Sequence, residues 1–164
     1  MMKINAMVLG AALCFAAATA SFAADPNVGT WKLNEAKSKI PAGASKNLTV
    51  VYTVAGDSYK CVVDGVDGAG KPTHNEWTGK FDGKDYAVTG DPTGDTRAYT
   101  TVNDRTLAMT VKKAGAVTMT GQIVVSADDK TRTVSTSGTD SNGKNFASDY
   151  FSEVVFPQPV TNCS

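Results

Sequence analysis

Thr106-Leu107-Ala108-Met109-Thr110-Val111-Lys112-Lys113 and, two residues later, Ala116-Val117-Thr118-Met119-Thr120-Gly121-Gln122-Ile123-Val124-Val125-Ser126 decide the fold. The first stretch puts Leu107, Met109 and Val111 on one face and Thr106, Ala108, Thr110 and Lys112 on the other. The second aligns Val117, Met119, Ile123 and Val125 opposite Thr118, Thr120 and Gln122. A period of two with one dry face and one wet face is the pattern of a half-buried β-strand. A connection this short allows only antiparallel neighbours.

The same rhythm extends in both directions. Candidate strands occupy 28–34, 47–54, 58–66, 72–81, 84–90, 96–103, 106–113, 116–126, 131–139 and 145–156. Between them Gly56-Asp57, Asp67-Gly68, Asp82-Gly83, Asn103-Asp104, Asp128-Asp129 and Asn142-Gly143 fall where the backbone must reverse. Gly, Asn and Asp suit the positive φ of such turns. In 72–81, Trp77 and Phe81 lie opposite His74, Glu76 and Lys80, and in 145–156 Phe146, Tyr150, Val154 and Phe156 align. Even spacing without long crossovers predicts an all-β, antiparallel up-and-down meander barrel of about 8–10 strands, an arrangement that also removes exposed edges. Only 35–46 breaks the pattern, with room for one helical turn before Pro41; it reads either as a lid over a barrel end or as a connector.

The N-terminus carries a different signal. Lys3 precedes an apolar run from Ala6 to Ala18 and then Thr19-Ala20-Ser21-Phe22-Ala23-Ala24. This is the plan of a secretory signal peptide over 1–24, cleaved after Ala23 or Ala24, with an apolar core too short to span a bilayer. The expectation is an exported protein, periplasmic or secreted, with residues 25–164 forming one β-barrel domain. Its loss removes Lys3 and no acid, leaving 15 basic residues against 16 acidic ones. That balance, without a basic patch, argues against a nucleic-acid partner. No later apolar run approaches the length of a membrane helix, so membrane insertion is not expected.

Cys14 leaves with the leader, which makes Cys61 and Cys163 an even pair in an oxidising compartment. The expected disulfide ties the tail to an early strand, and closing a loop of about 100 residues contributes on the order of 4 kcal/mol. Two free thiols are the alternative.

Val28-Gly29-Thr30-Trp31-Lys32-Leu33, opening a β-meander just inside the mature N-terminus, resembles the first strand of lipocalins and fatty-acid-binding proteins. In those families a Gly-x-Trp leads into the barrel and the indole closes one end. With Gly83-Lys84-Asp85-Tyr86, Thr89-Gly90-Asp91-Pro92 and Gly138-Thr139-Asp140, the likeness widens to small exported bacterial lipocalin-like proteins, mostly of uncharacterised function. The resemblance implies a calycin-type barrel. Two departures limit what it implies about ligands. Lipocalins stack an Arg or Lys from just past the last strand on the Trp, whereas Phe156-Pro157-Gln158-Pro159-Val160-Thr161 has no cation. Fatty-acid-binding proteins hold the carboxylate with Arg-x-Tyr on the last strand, where this chain has Ser148-Asp149-Tyr150. Many lipocalins tie the tail to a strand by a disulfide, as a Cys61–Cys163 bridge would.

No catalytic motif emerges. One histidine excludes a His cluster, and neither Cys-x-x-Cys nor His-Glu-x-x-His occurs, so no metal or cofactor is implied. His74 with Glu76 forms a weak acid–base candidate that alternation turns outward, and Asp91-Pro92-Thr93-Gly94-Asp95 reads as a turn before it reads as a Ca²⁺ loop. The inward candidates are Trp31, Tyr52, Tyr59, Trp77, Met109, Met119, Phe146 and Tyr150, either pocket lining or core. Two functions stand first. One is a binding protein for a small apolar or amphipathic ligand. The other is a filled-barrel interaction or inhibitor module that meets a protein partner through rim loops 35–46 or 91–95. An enzyme built on His74 and Glu76 comes third.

Overall fold

The computed structural model describes residues 25–139 and 143–155, so the expected signal peptide over 1–24, Phe156 and Cys163 lie outside the described residues. Ten strands follow in order: β1 Gly29–Leu33, β2 Lys46–Ala55, β3 Ser58–Val66, β4 Pro72–Gly79, β5 Tyr86–Thr89, β6 Thr96–Asn103, β7 Thr106–Lys113, β8 Ala116–Val125, β9 Thr131–Thr139 and β10 Asn145–Val154. Each pairs antiparallel with its sequence neighbours, and β1 pairs with β10 to close the barrel. Trp31 lies between Val154 on β10 and Val50 on β2, so the Gly-x-Trp strand is the seam. The chain is an all-β, closed ten-strand up-and-down barrel, an architecture compatible with a lipocalin-like plan.

The expected alternation holds along β7, where Leu107, Met109 and Val111 are buried. Along β8 it holds only in part. A bulge between Val111 and Lys112 leaves Thr118 unpaired and sets Val117 opposite Lys112, so Val117 is 57% exposed instead of joining Ile123 and Val125 inside. An extra residue in one strand reverses the facing of everything beyond it.

The wall is thinnest at β5, which shares only two paired positions with each of its neighbours. The preceding bend repairs it. Gly83 N donates to Tyr99 O at 2.8 Å, and Thr101 N donates to Phe81 O at 3.3 Å. Gly79 makes this corner possible, because a Cβ there would stand 2.5 Å from the Tyr86 ring and 2.7 Å from Trp77.

Within 35–46, the residues up to Lys39 act as a connector that runs along β10. Asn34 N donates to Phe151 O at 2.8 Å, and Lys39 and Asp149 exchange both backbone hydrogen bonds. The segment therefore continues β1 along β10, interrupted by a 3₁₀ turn at Glu35–Lys37 that Asn34 caps through its side chain. It forms part of the wall rather than a cover over the mouth.

Candidate functional site

The barrel interior divides into two unlike walls. The strands β2–β6, with the bend at Phe81, supply interlocked aromatic rings. Tyr59 stacks on Phe81 at 4.1 Å between centroids, and Trp77 meets Tyr99 edge-on at 4.8 Å and Tyr86 at 5.9 Å. Tyr52 meets both Phe81 and Tyr99 edge-on. Trp77 Nε1 donates to Arg97 O at 3.0 Å and Trp31 Nε1 to Asn27 O at 3.0 Å, so both indoles are buried with their polar atoms satisfied.

The opposite wall, β9 and β10, turns polar side chains inward. Arg132, Thr136, Ser148 and Ser152 are all buried, and register places Arg132 opposite Ser152 and Thr136 opposite Ser148. Arg132 lies over the Trp31 ring at 5.1 Å and over Tyr52 at 5.5 Å. The Trp thus has a stacking cation although the tail supplies none, because the cation arrives from β9.

Two buried guanidiniums therefore sit in different circumstances. Arg97 Nη2 donates to Asp91 Oδ2 at 2.6 Å, with both side chains only 8% exposed. Asp91 is itself held by Thr93, whose N and Oγ1 donate to Oδ1 at 2.8 and 2.6 Å. Arg132 has no carboxylate partner among the described residues, and its Nε and Nη1 make no hydrogen bond. Thr136 Oγ1, further along the same strand face, is also unsatisfied. Burial pushes the Arg132 guanidinium below its ordinary value. Burial works the same way on Arg97, but the neighbouring Tyr99 and Asp91 more than offset it. Between the arginines runs a tyrosine pair: Tyr52 donates to Tyr99 OH at 3.1 Å, and Arg97 Nη1 reaches Tyr99 OH at 3.5 Å. Burial raises both phenols and the Cys61 thiol, keeping all three neutral at ordinary pH.

The loop 91–95 holds Asp91 in place from the rim. Thr118 Oγ1 donates to Thr93 O at 2.8 Å, Ala114 N donates to Asp95 Oδ2 at 2.8 Å, and a Cβ on Gly94 would collide with Val111 at 2.2 Å. Its acids are engaged by Arg97, Thr93 and Ala114, which accounts for the segment without a cation. Among the described residues no group of three His, Cys, Asp or Glu is placed to hold a metal ion.

Of the eight candidate ligand residues, Trp31, Tyr52, Trp77 and Met109 are buried in the core, and Tyr59 and Met119 pack against it. Phe146 and Tyr150 are half-buried on β10, where Tyr150 OH donates to Ser45 O at 3.1 Å. Two open depressions accompany them. One of about 420 Å³ is lined by Lys39, Ser135, Thr136, Ser137, Ala147, Ser148 and Asp149. The other, about 450 Å³ and at the rim, includes Met119 and Phe146. Both lie on the β8–β10 side, away from the aromatic wall.

Cys61 points inward and is buried, with no disulfide partner among the described residues, and Cys163 lies outside them. His74 stands on the outer surface with Asp64 Oδ1 2.6 Å from Nδ1 and Glu76 Oε1 3.3 Å from Nε2. These acids raise the imidazole above its ordinary value, Asp64 contributing most. Lys60 pairs with Glu76 at 2.9 Å, completing an exposed charge cluster remote from the interior. Sequence reasoning did not find Arg97, Arg132, Asp91, Thr136 or Ser148 as inward residues, yet alternation carries a signal for the arginines. Arg132 shares parity with Val134, and Arg97 with Tyr99.

No model of a known protein family matches this chain, and a comparison with curated proteins found no match. Among the described residues no helix is long and apolar enough to cross a membrane.

Proposed function

We propose that this chain is an exported lipocalin-like binding protein for a small amphipathic molecule whose acidic head is drawn to Arg132. The observation that carries the reading is a cation 2% exposed with orphaned Nε and Nη1 donors and no carboxylate beside it. An uncompensated buried charge costs several kcal/mol, and a bound anion removes that cost. Thr136 supplies a third unsatisfied atom on the same strand face, and the indole and phenol around Arg132 give the head an apolar setting. Export rests on the signal-peptide pattern of 1–24.

A second reading draws on the same aromatic wall. A barrel filled by its own rings favours an interaction module, with the firmly built 91–95 loop as the surface offered to a protein partner.

Native mass spectrometry of protein purified from the export compartment separates the two. The binding reading predicts a reproducible acidic adduct, released on unfolding and absent from Arg132→Met. A bare mass that is indifferent to added short organic acids sinks it and leaves the interaction module. The same spectrum reports whether Cys61 and Cys163 are joined, since a bridge lowers the mass by about two units.

A further inference from the structure

We infer that Asp91 sets the charge class of the ligand: by occupying Arg97 it leaves Arg132 as the single uncompensated buried cation among the described residues, and so selects a singly charged acid. The inference rests on the binding reading above and adds a specificity-determining residue to it. Among the described residues, the ionised side chains buried in the barrel are Arg97, Arg132 and Asp91. The remaining titratable groups between them, Tyr52, Tyr99 and Cys61, are neutral. The interior therefore carries one net positive charge. A monocarboxylate cancels it, whereas a dianion replaces it with an uncompensated negative charge in a medium of low dielectric. A neutral ligand leaves Arg132 as it was.

Asp91 is built for this task rather than placed by chance. Its Oδ2 takes Arg97 Nη2 while its Oδ1 takes both donors of Thr93, so neither oxygen is left to drift. Gly94 lets the loop seat against Val111, and Thr118 and Asp95 fix its far side. The tyrosine pair lies between the two guanidiniums: Arg97 and Tyr52 both reach the Tyr99 hydroxyl, and Arg132 lies over the Tyr52 ring. Removing the Asp91 charge raises the interior from one net cation to two. Removing Arg97 along with it restores one.

The test is calorimetric titration of the whole mature protein with hexanoate, hexanamide and hexyl phosphate at about pH 8, where the phosphate monoester is doubly charged. The wild type is expected to bind hexanoate at least about tenfold more tightly than either of the others. Asp91→Asn is expected to shift the hexanoate-to-hexyl-phosphate ratio by about tenfold or more toward the phosphate, and the pair Asp91→Asn with Arg97→Gln to return it to the wild-type value. The double variant also covers the case in which Asp91→Asn alone does not fold, since it must then fold and prefer hexanoate. A folded Asp91→Asn with an unchanged ratio, or a double variant that prefers the phosphate, overturns the inference while leaving the binding reading intact. Failure of all three probes to bind the wild type overturns both.

Discussion

The two inner walls of this barrel solve the same packing problem by opposite chemistry. On β2–β6, rings fill the space, the Trp77 N–H has a carbonyl and the Arg97 guanidinium has a carboxylate, which leaves Arg97 Nε and Asn75 Oδ1 as the unpartnered atoms among the described residues there. On β9 and β10, Arg132 and Thr136 are equally buried but leave polar atoms without partners. Interiors rarely tolerate such atoms without a reason, because a buried donor that has lost water and gained nothing costs free energy. The contrast separates the part of the molecule that supports the fold from the part that is prepared for something else. Arg97 sharpens the point, being a buried guanidinium on the aromatic side that has its own carboxylate.

The largest break in this comparison comes from the aromatic wall. Trp77→Ala removes a ring that touches Phe81, Tyr86 and Tyr99, and is expected to lower stability by about 3–5 kcal/mol in urea unfolding. Next is the ion pair: Asp91→Asn strands Arg97 in the interior and should cost about 3 kcal/mol by the same measurement. Arg132→Met should behave in the opposite manner despite equal burial. With no partner to abandon, its loss in ligand-free protein is expected to change stability by less than about 1 kcal/mol or to raise it, the lost ring stacking offset by the relieved desolvation. A large destabilisation there would mean that Arg132 is structural and that the walls do not differ as described.

The smallest effect lies outside the barrel, where polar groups face water. His74 should titrate above the ordinary histidine value in an NMR pH series, and Asp64→Asn should bring the midpoint down. Because its folded-state value is raised, whatever His74 contributes to stability is present below the unfolded value and lost as pH rises through the folded one. Midpoints that do not move with Asp64→Asn would show that the contact is not formed in solution.

Much of the fold was legible because alternation and turn residues are local signals. The β7–β8 hairpin, the Gly-x-Trp seam and the outward His74, Glu76 and Lys80 all follow from a period of two and from Gly, Asn and Asp at reversals. Val117 was misplaced because a bulge is decided by the partner strand, which a single strand does not reveal. Residues 35–46 stayed ambiguous for the same reason, since the Lys39–Asp149 pairing spans most of the chain. The site was less legible. Arg97 and Arg132 lie at inward positions by parity, but the expectation that charges face water outweighs parity until a partner such as Asp91, or the lack of one, is seen. The resemblance places the cation over Trp31 just past the last strand, whereas here β9 reaches the same ring through the barrel.

The central claim is that the buried, unpaired Arg132 receives an acidic head. Its most direct test is calorimetric titration of hexanoate into the wild type and into Arg132→Met, with circular dichroism confirming that both are folded. The account predicts saturable binding to the wild type and at least about tenfold weaker binding to the variant. Equal affinity in the two proteins would contradict it.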